Sequence, residues 1–139
     1  MAFELTEEQE QLRRTVAKFA EKELAPIAAD ADEKGEFHRE IYEKLAVLGL
    51  LGIPCPEKYG GAGLDYSTYI LVIEEIAKHC LATAVGLAVQ GLPQIMIGSF
   101  GTEEQKMTYL APLASGKKLG AFALTEPNVG SDPANLATT

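Results

Sequence analysis

The sequence contains one long stretch, residues 80–102, in which no side chain is charged. A stretch of this length is enough to cross a membrane, which takes about 20 predominantly apolar residues. It is interrupted by Gln90, Pro93 and Gln94, and glycines are spread through it. Polar groups and a proline inside an apolar pattern favour a helix that is buried in a protein core and bent at the proline. We therefore predict a bent core helix here and no membrane span.

Local helix signals occupy most of the remaining residues up to 118. Capping boxes are present at residues 6–9 and 102–105, where a threonine and a glutamine side chain can each bond the other's backbone N–H. Apolar residues recur at helical spacing, and Pro26, Gly35 and Gly49 mark helix ends. The sequence therefore predicts a mainly α fold, an N-terminal helical bundle.

The character of the sequence changes after Lys118. Residues 119–124 form a short apolar run that is typical of a strand, and turn-forming residues follow it. A single strand needs partners for its edges, so we expect this one to be the first strand of a second, truncated β domain. The predicted division is a helical domain over 1–118 and the beginning of a β domain over 119–139.

The turn after this run, residues 125–132, has the composition of a ligand-binding bend. Successive backbone N–H groups around such a bend suit a phosphate or a polarised ring edge. Gly130 has no Cβ that would hold a ligand away from the backbone. An ordinary strand and turn without a ligand is the alternative that spacing alone leaves open.

The bend resembles the flavin-binding signature of the acyl-CoA dehydrogenase family, and most of the chain resembles that family's N-terminal helical domain. The matching residues are Thr125-Glu126 after the predicted strand and Gly130-Ser131-Asp132 after the turn. Val129 and Asn135 depart from the family pattern, in which smaller residues are usual, but neither removes a hydrogen-bond donor.

The resemblance implies FAD as the cofactor and oxidation of an acyl-CoA thioester to the 2-enoyl-CoA. It implies that Phe122, Leu124 and Thr125 line the flavin ring. It also implies that Gly130 and Ser131 approach the pyrophosphate, and that Ser131 contacts the substrate. Glu126 and Asp132 are expected to support the bend, with Asp132 bonding the turn backbone.

The same resemblance carries expectations about the rest of the enzyme. The family's catalytic glutamate has no counterpart in this sequence, so we assign no catalytic residue, place the base beyond residue 139 and expect the chain alone to be inactive. An electron-transfer flavoprotein is the implied electron acceptor, a homotetramer is the implied assembly, and the middle β domain would begin at residue 119.

Other classes of function have little support in the sequence. The net charge of −8 argues against nucleic-acid binding, and the acidic beginning of the sequence predicts a cytoplasmic protein without a signal peptide. No metal site is predicted, because Asp30 does not begin a calcium-loop pattern and His79 lacks di-iron ligand spacing. Two alternatives remain: a helical interaction or oligomerisation module, and a flavin oxidase or monooxygenase on the same scaffold.

Overall fold

The computed structural model describes residues 4–138, which are mainly helical as predicted. The α-helices are α1 (Glu7–Phe19), α2 (Ala28–Lys34), α3 (Arg39–Val47), α4 (Tyr66–Ala77), α5 (Leu81–Phe100), α6 (Glu103–Gln105) and α7 (Ala111–Ala114). Two π-helical segments extend or join them, at Ala20–Leu24 and Lys106–Leu110. Short 3-10 helices lie at Leu50–Gly52, Glu57–Tyr59 and Pro133–Asn135.

The predicted helix caps are present. The Thr6 hydroxyl accepts a bond from the Gln9 N–H at 3.2 Å, and the Gln9 side chain accepts one from the Thr6 N–H at 3.1 Å. Thr102 and Gln105 make the same reciprocal pair at the start of α6. Gly35 ends α2 with a φ of 65°, in the left-handed region that glycine adopts without steric cost.

The main core lies between α1, α3, α4 and α5. Helix α4 packs against both α1 and α5, so it forms the centre of the bundle. The largest fully buried aliphatic side chains of this core are Val16, Leu24, Leu45, Ile53, Val72, Ile76 and Leu87. Each such side chain contributes about 1.5–3 kcal/mol by leaving water, which makes this core the main source of stability.

Helix α5 behaves differently on its two faces. Ala84, Leu87 and Gln90 are buried against the bundle, which agrees with the predicted core helix. The helix also runs through Pro93 without interruption. By length and composition alone α5 could cross a membrane, and much of its opposite face is exposed, including Leu81 and Phe100. The prediction of a buried helix is therefore correct for one face only.

The predicted strand over residues 119–124 is wrong for the part of the chain that the structure describes. No strand is formed between residues 4 and 138, and the one β-bridge is isolated and joins Glu126 to Val129. A strand is stabilised by the ladder it makes with a neighbour, and no second strand is present here to pair with residues 119–124. The domain division at residue 118 stays a prediction.

Candidate functional site

The buried side chain of Gln90 in α5 makes hydrogen bonds to the segment that leads to the bend. This side chain is only 1% exposed. Its amide nitrogen donates to the carbonyl oxygens of Leu113 at 3.0 Å and Lys118 at 3.3 Å. Its amide oxygen accepts a bond from the Gly120 N–H at 2.5 Å. Gln90 therefore uses both ends of its amide to hold residues 113–120 against the helix.

Gly120 also packs closely on α5. A Cβ at this position would lie 2.6 Å from Cγ of Pro93 and 3.2 Å from Cδ2 of Leu113. The proline ring is part of a helix and has little freedom to move, so only glycine fits here without displacing the segment. Leu119, directly before it, packs against the main core. The start of the segment is thus fixed by packing as well as by hydrogen bonds.

The three residues that the resemblance assigns to the flavin ring lie beyond this anchor and are exposed. Phe122 and Leu124 are 41% and 40% exposed, and Thr125 is exposed as well. Within residues 4–138, the backbone N–H groups of residues 121–125 donate to no protein atom. Within residues 4–138, Phe122 and Leu124 are therefore not packed as strand core.

The two residues assigned to the pyrophosphate lie together in the bend. Gly130 and Ser131 are both exposed, and neither N–H donates a hydrogen bond to another residue that the structure describes. A Cβ at Gly130 would meet no atom within 4 Å, and its φ lies outside the left-handed region. Neither the packing nor the conformation of the described chain therefore demands glycine at this position.

Glu126 holds the bend closed. Its backbone and that of Val129 exchange two hydrogen bonds, at 2.9 and 3.1 Å. Its carboxylate accepts bonds from the Thr138 hydroxyl at 2.5 Å and from the N–H groups of Ala137 and Thr138 at 3.0 and 2.9 Å. These donors, the hydroxyl first among them, lower the pKa of Glu126 below its ordinary value of 4.5. The contacts agree with a supporting role for this residue.

The two departures from the family pattern both have local contacts. Val129 is buried in the bend. The Asn135 side-chain amide donates to the Asp132 carboxylate at 2.5 Å, and the Asn135 N–H donates to the Asp132 carbonyl at 3.3 Å. The expectation that the Asp132 carboxylate bonds the turn backbone is therefore wrong in detail, because its partner is a side chain.

A cavity of 230 Å³ lies beside the anchored start of the segment. Its lining is largely apolar and comes from Phe37, Tyr42, Gly86, Val89, Gln90, Leu119 and Gly120. Gly86 makes room for the Tyr42 hydroxyl, which a Cβ at that position would overlap. A cavity of 240 Å³ between α2, α3 and the start of α5 lies away from the bend. The cavity beside Gly120 is therefore a space that a ligand at the segment could share.

The role of Gln90 was not found from the sequence. The sequence shows a glutamine in an otherwise apolar helix, which indicates a buried hydrogen-bonding role without naming a partner. Its partners lie 23, 28 and 30 residues further along the chain, so no local pattern identifies them.

Comparison with known proteins finds relatives over nearly the whole chain. A family model described as acyl-CoA dehydrogenase, N-terminal domain, matches residues 6–117. The probable acyl-CoA dehydrogenase YngJ of Bacillus subtilis is 50% identical over 139 residues, which are 99% of this chain and 37% of that protein. The chain thus spans a little over a third of the length of this relative.

Solved structures resemble the chain over nearly its whole length. Butyryl-CoA dehydrogenase from Megasphaera elsdenii matches with a TM-score of 0.90 and 43% identity, over 96% of this chain and 36% of that one. A structure of the electron transferring flavoprotein of Acidaminococcus fermentans matches with a TM-score of 0.92 and 44% identity, over 97% of this chain and 36% of that one.

Proposed function

Because the chain belongs to the acyl-CoA dehydrogenase family, whose N-terminal domain it matches, we propose that it is the N-terminal part of a flavoprotein that oxidises an acyl-CoA thioester to the 2-enoyl-CoA. The observation that carries the proposal is the bend at Gly130 and Ser131. The N–H groups of these two residues have no described protein partner, and Gly130 is required by no contact of the described chain. A phosphate that approaches the backbone closely would use both properties.

FAD is the proposed cofactor. Exposed apolar side chains at Phe122 and Leu124 offer contacts to a planar ring, and the Thr125 hydroxyl and N–H offer hydrogen bonds at its edge. We assign Gly130 and Ser131 to the pyrophosphate, and Ser131 also to the acyl-CoA. When bound, FAD supplies the hydride acceptor, while the chain's own groups bind and orient it. These residues fit FAD because they provide hydrogen-bond donors and open space for it.

The remaining parts of the proposal concern the substrate and the partners. The similarity to butyryl-CoA dehydrogenase supports a short acyl chain, and the cavity beside Gly120 is a candidate site for part of it. We propose that the base that removes the α-proton comes from outside these 139 residues. We also propose an electron-transfer flavoprotein as the electron acceptor, a homotetrameric assembly and a cytoplasmic location.

The proposal is tested by the substitution Gly130→Val in the full-length gene product. The added side chain meets open space in this chain, so helicity and the melting temperature of the flavin-free protein are expected to stay at wild-type values. The ratio of FAD to protein, read from the visible absorption of the purified enzyme, is expected to fall at least several-fold. Ala134→Val, which is also at an exposed position, four residues on, is the matched control and is expected to keep its FAD.

Unchanged FAD content in Gly130→Val would contradict the assignment of this glycine to the flavin. A second measurement concerns the 139-residue chain by itself. It is expected to hold FAD too weakly to be yellow after purification, and to show no change on addition of butyryl-CoA, because the base is proposed to lie outside it. A yellow chain that is bleached by butyryl-CoA would contradict this expectation.

The exposed face of α5 favours the second candidate function, a helical interaction module. Leu81, Val85, Met96 and Phe100 present an apolar surface that runs the length of the helix. Such a surface is typical of a helix that is covered by another protein surface. An interaction module has no use for the free donors of the bend, so the Gly130→Val experiment also distinguishes these two functions.

A further inference from the structure

Within residues 4–138, the contacts that hold the segment 119–125 lie at its start, at Leu119 and Gly120. Among the residues that the structure describes, the N–H groups of residues 121–125 bond no protein atom, whereas the Gly120 N–H is bonded by Gln90. Phe122, the first residue proposed to contact the flavin ring, is two residues from Gly120. Two residues of extended chain span at most about 7 Å. Because Phe122 is joined to Gly120 by this short length of chain, a shift of Gly120 also shifts Phe122.

We infer that Gln90 is a positioning residue for the flavin, which acts by fixing Gly120 and Lys118 against α5 so that the binding segment starts from one place. This inference rests on the proposed function, because it concerns the same segment and the same cofactor. Gln90 need not touch the flavin. It reduces the number of conformations that the segment must give up when the cofactor binds, which increases affinity by pre-organisation.

The geometry favours this role over a purely structural one. A buried glutamine that only stabilised the bundle would bond its own helix or the neighbouring helices, as Gln94 does. Gln94 is 4% exposed, and its amide nitrogen donates to the carbonyl oxygens of Leu51 at 2.7 Å and Gln90 at 3.1 Å. Two of the three partners of the Gln90 side chain, Lys118 and Gly120, instead lie in the chain that leads into the bend, and the third, Leu113, lies in α7.

Gln94 therefore provides a matched control. Gln90→Leu and Gln94→Leu both replace a buried glutamine in α5 by an apolar side chain, and both leave buried backbone carbonyls without a donor. Both variants are expected to lower the melting temperature, because unsatisfied buried groups are costly wherever they lie. Only Gln90→Leu releases the segment before Phe122.

The experiment measures FAD binding by the full-length gene product after its flavin has been removed. Gln90→Leu is expected to raise the Kd for FAD about tenfold, which corresponds to the loss of about one net hydrogen bond. It is also expected to change the visible absorption bands of the bound flavin, because the ring contacts start from a displaced segment. Gln94→Leu is expected to keep the wild-type Kd and spectrum to within about twofold.

A second variant leaves the glutamine in place. Gly120→Ala puts a Cβ 2.6 Å from Cγ of Pro93 and so pushes the segment away from α5. It is expected to weaken FAD binding as Gln90→Leu does, and it decides the question if Gln90→Leu does not fold.

The possible results separate this inference from the proposed function. Weaker FAD binding in Gln90→Leu and Gly120→Ala, with normal binding in Gln94→Leu, supports the positioning role. Wild-type FAD binding in Gln90→Leu, or an equal loss in Gln94→Leu, overturns the positioning role while the proposed function stands. A wild-type protein that binds no FAD overturns the proposed function and this inference together.

Discussion

Gly91 in α5 allows a test of the helix packing that supports the site. A Cβ at this position would overlap the Tyr69 hydroxyl and would lie 3.1 Å from Cζ of that ring. The hydroxyl is not free to move away, because it donates to the Leu87 carbonyl at 3.0 Å inside the bundle. Burial raises the pKa of Tyr69 to about 12, so the hydroxyl stays protonated and remains a donor at all ordinary pH values. We therefore expect Gly91→Ala to destabilise the fold.

The expected size of this effect is set by three contributions. Alanine in place of a helical glycine stabilises by about 1 kcal/mol through its higher helix propensity. Overlap in a packed interior costs about 1–3 kcal/mol, and loss of the hydrogen bond from Tyr69 to Leu87 costs about 1 kcal/mol more. The net result for Gly91→Ala is a loss of about 1–3 kcal/mol in the free energy of unfolding. At about 4 °C per kcal/mol for a chain of this size, the melting temperature falls by about 4–12 °C.

The control is the same substitution two turns further along α5. A Cβ at Gly98 would lie 3.8 Å from Cδ2 of Leu110, which is an ordinary contact. Gly98→Ala is therefore expected to raise stability by about 0.5–1 kcal/mol. Urea unfolding followed by circular dichroism at 222 nm measures both variants under the same conditions.

A double-mutant cycle with Tyr69→Phe tests the cause of the destabilisation. Removal of the hydroxyl relieves the overlap, so Tyr69→Phe is expected to cost about 1 kcal/mol in the wild type and much less in Gly91→Ala. The reasoning is refuted if Gly91→Ala stabilises as Gly98→Ala does, or if Tyr69→Phe has the same effect in both backgrounds.

Three further predictions concern the core, a cap and the bend. Leu87→Ala removes a fully buried side chain and is expected to cost about 2–5 kcal/mol in urea unfolding, whereas Leu81→Ala on the exposed face of the same helix should change stability by less than about 0.5 kcal/mol. Thr6→Ala removes a capping box and is expected to cost about 1 kcal/mol in the same assay. Because the pKa of Glu126 is lowered in the fold, its ionised carboxylate stabilises the folded bend above pH 4.5. This stabilisation is lost as the pH falls below that value. The protection factor of the Thr138 amide, measured by hydrogen exchange, should accordingly fall at low pH, and a constant value would contradict the assignment.

Local signals predicted most of the helical bundle. The capping box at Thr6 and the helix end at Gly35 depend on groups within a few residues of each other, so the sequence contains all the information that they require. The same reasoning failed for residues 119–124. Their apolar composition suits a strand, but a strand also needs a partner, which a local pattern does not supply.

The candidate site was predictable to a similar extent. The resemblance pointed to residues within 122–131, and the structure places Phe122, Leu124, Thr125, Gly130 and Ser131 outside the helical core, with N–H groups that have no partner within residues 4–138. The resemblance could not reveal what holds this segment, because Gln90 contacts it across up to 30 residues of sequence. Nor could the spacing show that Asn135 bonds Asp132, since either side chain could have bonded the turn backbone.

Gly120 and Gly130, at the two ends of the proposed flavin-binding segment, explain how the segment can be fixed in position and still have donors free to bind a ligand. Gly120 is required by the protein, because any side chain there would collide with Pro93. Gly130 is required by no described protein atom, and its own N–H group and that of Ser131 are free within residues 4–138. A segment anchored at its start and open at its bend meets the usual demand on a binding element, which is a fixed position with unused donors. Substitution of Gly120 should therefore lower stability and flavin affinity together, whereas substitution of Gly130 should lower affinity alone.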